Sequence, residues 1–200
     1  MNIPKNVRLF LEERANAQAI GNYSSLLCEI EEQLEILEEK ETPMVSPVEQ
    51  MFFIEWYARR YGRDTADVED RFDLMPQYQL EHLTGKYRLD FSVEFLTGVV
   101  NCPTDSVYNH RELEIFEKVR APLLGIEIDG HEWHERNKEQ AQRDKSRERF
   151  LVANGWKILR FTGSEVFKDS GKCVTETIDC ATTLARIWHQ QIRGYLLGKA

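Results

Sequence analysis

The stretch that most limits what this chain can become is Leu123-Leu-Gly-Ile-Glu-Ile-Asp-Gly-His-Glu-Trp-His134. From Leu124 to Asp129 it alternates with the period of a strand, so Leu124, Ile126 and Ile128 face one way while Glu127 and Asp129 face the other. A strand this apolar belongs inside a sheet. Two carboxylates held on one side of it there repel each other and are poorly solvated, a cost that a divalent cation between them would remove.

The flanking segments supply the layers such a sheet needs. Ser46-Pro47-Val48-Glu49 is a helix start, with serine as N-cap, proline at the first helical position and glutamate three residues after the cap. The helix runs through Phe52, Trp56 and Arg60 and is aromatic on the side that packs. Two duties are open to Glu49: partner in a capping box, or a carboxylate aimed at a metal site. Asp64 to Pro76 reads as a loop or short helical region, Gln77 to Leu83 as a short strand and Thr84-Gly85-Lys86 as a turn. In Tyr87 to Phe95, Tyr87, Leu89, Phe91, Val93 and Phe95 are expected on one face, with Arg88, Asp90, Ser92 and Glu94 on the other.

After a connection over Thr97 to Arg120 and the acidic strand, a polar helix is expected from Glu135 or Arg136 to Ala153, closed by Asn154-Gly155. Trp156 to Phe161 reads as a well-buried strand, followed by a short helical or loop segment and a final helix over Glu176 to Leu197. Helix, hairpin, strand, helix, strand, helix describes an α/β sandwich with a mixed sheet, whose strand-helix-strand unit from Leu123 to Phe161 is a parallel crossover.

Composition narrows the function. Apolar residues at 42% and charged residues at 30% suit a soluble globular chain, and no run has the length of a membrane span or the order of a secretory signal, so the cytoplasm is expected. Cys28, Cys102, Cys173 and Cys180 lack metal-ligand spacing, which argues for reduced thiols and against zinc. The net charge of −8 argues against a protein that coats nucleic acid, yet residues 1–44 carry nine acidic and four basic side chains and so account for most of it. Those residues are read as an acidic helical arm, a packing or dimerisation surface or else a partner-binding segment. Residues 45–200 are the α/β domain.

If strand 87–95 lies beside strand 123–129, Asp90 and Glu127 share one concavity with Asp129 two residues further on. With the carbonyl of Ile128 they would make an open oxygen site for Mg2+, Mn2+ being a substitute, and the chemistry that best fits is phosphodiester hydrolysis. His131 and His134 are candidates for general base, leaving-group acid or phosphate contact; alternatively they are polar loop residues packed beside Trp133. The following helix carries Arg136, Gln140, Arg143, Lys145 and Arg147 at spacings that allow one polar face toward the site, or else a solvated face laced with ion pairs. Lys86 and Arg88, flanking Asp90, are further phosphate contacts.

Four blocks in order, Tyr87-Arg-Leu-Asp90-Phe, Gly125 to His134, Gln140-x-x-Arg-Asp-Lys-x-Arg147 and Gly155 to Phe161, resemble the PD-(D/E)XK restriction-endonuclease-like superfamily, in the branch similar to very-short-patch-repair endonucleases and nuclease-like bacterial and phage proteins. The likeness covers about Ser46 to Phe167. It implies a restriction-endonuclease-like core, a mixed central sheet flanked by helices, with the arm added. It also implies that Asp90 matches the first metal-binding aspartate, Glu127 the second acid, and Glu49 the glutamate often supplied by the first core helix. Asp129 stands where the superfamily usually has lysine, so Asp129 is read as a second-metal ligand or a residue fixing His131 or His134, and Gln140, Arg143 or Lys145 as the replacement donor. The expected function is a Mg2+-dependent DNA endonuclease, with RNA left open as a substrate. The alternatives are a nucleic-acid-binding or assembly protein that keeps the fold without turnover, and an unrelated metal-dependent hydrolase of nucleotides.

Overall fold

The computed structural model describes residues 9, 10, 12, 13, 46–60, 72–82, 85–95, 118–129 and 138–197. Their order is α1 (Pro47–Arg60), β1 (Phe72–His82), β2 (Gly85–Phe95), β3 (Leu123–Asp129), α2 (Lys138–Ala153), β4 (Trp156–Thr162) and α3 (Gly163–Leu196). The strands form one sheet in the order β1-β2-β3-β4. β1, β2 and β3 are antiparallel in succession, and β3 and β4 are parallel across the α2 crossover, so the sheet is mixed and flanked by helices. Of the expected arm, residues 9, 10, 12 and 13 are helical, and Phe10 packs against the main core.

α1 begins where the sequence asks it to, with the amide of Glu49 donating to Ser46 Oγ at 3.3 Å. Its aromatic side lies on the sheet: the Phe52 ring is centred 5.3 Å from Phe91 and 5.9 Å from Phe161, and Trp56 lies against Phe72. α3 shares this layer, contributing Val166, Val174, Ala185 and Trp188, and the Trp188 indole donates to the Val119 carbonyl. Each large aromatic sealed here contributes about 1.5–3 kcal/mol of transfer free energy. A second apolar cluster of Leu89, Leu151 and Trp156, joined by Leu80, Phe150 and Ile158, lies between the opposite sheet face and α2.

These two clusters overturn one expectation. Residues 87 to 95 do not present a single apolar face: Phe91, Val93 and Phe95 enter the α1/α3 layer, whereas Leu89 enters the α2 layer. β1 changes sides with it, Phe72 and Leu74 joining the first cluster and Leu80 the second. The change falls at Gln77 and Asp90, which the β1–β2 register places opposite each other, between Pro76↔Phe91 and Tyr78↔Leu89. Gln77 has φ of 52°, a left-handed conformation that reverses the pleat. Gly125 is the counterpart on β3. A β-carbon there would lie 2.7 Å from Leu89 Cδ1 and 2.8 Å from Ile158 Cδ1, so the crossing leucine occupies the space a side chain would need.

Two boundaries and one burial pattern also differ from expectation. β1 starts at Phe72 rather than Gln77, because Pro76, where the expected loop ended, is tolerated on an edge strand. β4 is half exposed rather than well buried, being the other edge among the described residues. The last helix begins at Gly163 rather than Glu176. Thr162 and Glu165 form a capping box, and Asp169 (φ −156°, ψ 75°) interrupts the helix and caps its second part, accepting from the Lys172 amide at 2.9 Å. No helix among the described residues is long and apolar enough to cross a membrane.

Candidate active site

The β2–β3 ladder pairs Val93 with Leu124, Ser92 with Gly125 and Phe91 with Ile126. One further step in that register brings Asp90 opposite Glu127. There the side chain takes over from the backbone ladder: Asp90 Oδ2 accepts from the Ile128 amide at 2.7 Å. On β4 the residue opposite Glu127 is Arg160. Gln77, Asp90, Glu127 and Arg160 therefore make a polar row across the four strands.

Charges reach this row from both helical layers. From α1, the buried Glu49 accepts from Gln77 Nε2 at 2.8 Å through Oε2. Burial, and then the charge of Asp90, push the Glu49 carboxyl up to about 7, against the pull of Arg88 and of hydrogen bonds from Ser46 and Gln77. The Asp90 carboxyl is also raised, by burial first and by Glu127, with the Ile128 amide, Arg147 and Arg88 opposing. From α2, Arg147 Nη2 stands 2.6 Å from Glu127 Oε1 and donates to the Arg88 carbonyl at 2.5 Å, its guanidinium centred 6.0 Å from the Tyr87 ring. The Arg147–Glu127 approach is a charge contact rather than a directed hydrogen bond, since Oε1 receives no aligned donor. Glu127 Oε2 does receive one, from Arg160 Nε at 3.0 Å.

Of the residues singled out in the sequence, Glu49, Arg88, Asp90, Glu127, Ile128 and Arg147 are thus gathered here. Ile128 is linked to Asp90 through its amide. Asp129 lies at the half-buried end of β3, opposite Thr162. Arg143 and Lys145 are exposed on α2, Lys145 lining an open groove of about 480 Å³ with Glu148, Arg149, Val152 and Ala153. His131, His134 and Arg136 lie outside the described residues, as do the side chains of Lys86 and Gln140. Among the described residues, no group of three or more His, Cys, Asp or Glu side chains is placed to hold a metal ion. The acids instead come at Asp90 from the two layers, and the one from β3 is occupied by arginines. Cys173 and Cys180 are free thiols away from this site, and burial pushes Cys173 up to about 11.

Gln77 and Arg160 were not legible as site residues. A parallel β3–β4 pairing with Asn154-Gly155 as the preceding turn would have found Arg160 by register alone. Gln77 owes its place to a backbone reversal that no spacing announces.

Residues 98–180 match the protein family described as REase_MTES_1575. No curated protein and no solved structure matches the chain. The matched segment contains the acidic strand, the α2 crossover and β4, and the elements before it complete a mixed sheet with helices on both faces. The chain thus has a restriction-endonuclease-like architecture, and over residues 98–180 it is similar to the REase_MTES_1575 family.

Proposed function

We propose that this protein is a metal-dependent endonuclease that hydrolyses phosphodiester bonds of DNA. The observation that carries the reading is the facing of Asp90 and Glu127 where the β2–β3 ladder gives way to the Asp90–Ile128 hydrogen bond. The donors are hard oxygens suited to Mg2+, with Mn2+ as substitute: Asp90 and Glu127, supplemented by Glu49 and the Ile128 carbonyl. Burial that disfavours charge on Asp90 and Glu49 is the kind of cost a cation would offset. A cation so held supplies Lewis acidity toward water and a phosphoryl oxygen.

The remaining work falls to the chain itself. The Ile128 amide holds Asp90 in place, so its carboxylate needs little reorganisation. Arg147, which stands on Glu127, would with Arg88 meet backbone phosphate, and Lys86, Arg136, Arg143 and Lys145 would extend this contact along the strand. His131 or His134 moves the proton, Asp129 orients the histidine or a second cation, and Gln140 donates where the family has its lysine.

Divalent-dependent nicking of supercoiled plasmid tests the reading. Asp90→Ala and Glu127→Ala are each expected to lower the rate by at least about a hundredfold while circular dichroism and duplex binding persist. Cleavage that survives both substitutions would remove the proposed chemistry. A second reading, a DNA-binding protein without turnover, draws on the two arginines standing on Glu127 and on Asp129 at the lysine position. It predicts duplex binding that is unaffected by chelator and no nicking in Mg2+ or Mn2+.

A further inference from the structure

A glutamine in the middle of a strand with φ of 52° is a strained residue, at a cost that glycine would not incur. Gln77 is also only 4% exposed, and its amide is half satisfied. Nε2 donates to Glu49 Oε2, while Oε1 is buried without a hydrogen-bond partner. Where Glu49 is ionised, reversing the amide would put oxygen against its carboxylate and strand the nitrogen instead, so the ionised acid fixes which end is left over. A buried acceptor without a donor has given up its hydration with nothing in return. Strain and an unsatisfied atom thus coincide at one side chain, opposite Asp90 in the register and hydrogen-bonded to Glu49.

We propose that Gln77 is a cation ligand of this site, its amide nitrogen holding Glu49 and its amide oxygen adding a neutral donor beside the Asp90 carboxylate. The inference rests on the metal-dependent reading above and adds a residue to it. An amide oxygen suits Mg2+ and Mn2+, whose ligands are oxygens of carboxylates, amides and water. A neutral donor completes coordination without adding a further negative charge to a pocket where Glu49 and Asp90 already raise the cost of ionisation. The left-handed backbone at Gln77 goes with the burial of its side chain and its hydrogen bond to Glu49.

The test is titration of the full-length protein with MnCl2 by calorimetry, with the Mn2+-induced rise in melting temperature read in parallel. Gln77→Leu and Gln77→Gly are expected to weaken Mn2+ binding by about 10–100-fold. Gln77→Gly suits the left-handed backbone, so it should melt at or above the wild-type temperature without metal and still lose the Mn2+-induced rise. Gln77→Glu, which keeps an oxygen in place, is expected to bind Mn2+ at least as tightly as wild type. If wild type binds Mn2+ and Gln77→Gly binds it equally, Gln77 is not a ligand and the endonuclease reading stands. Weakening by Gln77→Glu as deep as by Gln77→Leu would reduce Gln77 to a positioner of Glu49 and overturn its role as ligand. A wild-type protein that binds neither Mn2+ nor Mg2+ would end both this proposal and the metal-dependent reading.

Discussion

At the scale of single residues, Glu49 is where folding and site chemistry conflict. Its carboxyl is raised from 4.5 to about 7, so between those values the folded chain holds a proton that the unfolded chain has released. Stability therefore falls as pH rises through that window, and above it the penalty is complete. Glu49→Gln removes the charge and keeps an acceptor for Gln77. In metal-free buffer it should be about 1–3 kcal/mol more stable than wild type at about pH 8 and indistinguishable from it at about pH 4, as measured by urea unfolding. A gain of the same size at both pH values would show that burial of charge is not its origin.

At the scale of elements, Arg147 fastens α2 to the hairpin, meeting Glu127, the Arg88 carbonyl and the Tyr87 ring together. Arg160 meets the same carboxylate from an edge strand, with its side chain 43% exposed. Without metal, Arg147→Met should cost about 1–3 kcal/mol in chemical denaturation, and Arg160→Met less than about 1 kcal/mol. Equal losses would mean that α2 is held by its apolar contacts alone. The elements themselves were largely legible. The Ser46-Pro47 start, the pairing of the hairpin with the acidic strand and the parallel return to Trp156 follow from capping chemistry and two-residue alternation. The full length of β1 was hidden by Pro76, whose missing amide matters only where a neighbouring strand needs it. The Asp169 interruption was hidden too, because a side chain that caps a new helical start looks like any other polar residue. For the site, periodicity brought Asp90 and Glu127 together but gave no sign that Leu89 and Phe91 would part company.

At the scale of the whole molecule, the acidic balance and the proposed substrate are reconciled by where charge lies. With residues 1–44 holding net −5 of the −8, the rest of the chain retains basic side chains at the row, Arg88 and Arg147, and exposed on α2, Arg143 and Lys145. If these four neutralise phosphates, duplex affinity should drop by about a hundredfold between roughly 50 and 200 mM salt, read by fluorescence anisotropy. A flat salt response would place the binding surface elsewhere.

The hairpin that trades one packing layer for the other at Asp90 also sets how the protein should fail on warming. Leu151 packs beneath one half and Phe52 beneath the other, so slackening of either is expected to twist the same pivot and spoil the aim of the acid before either helix layer melts. Nicking should accordingly fade several degrees below the temperature at which ellipticity collapses; coincident midpoints would mean that the pivot is as sturdy as the layers it joins.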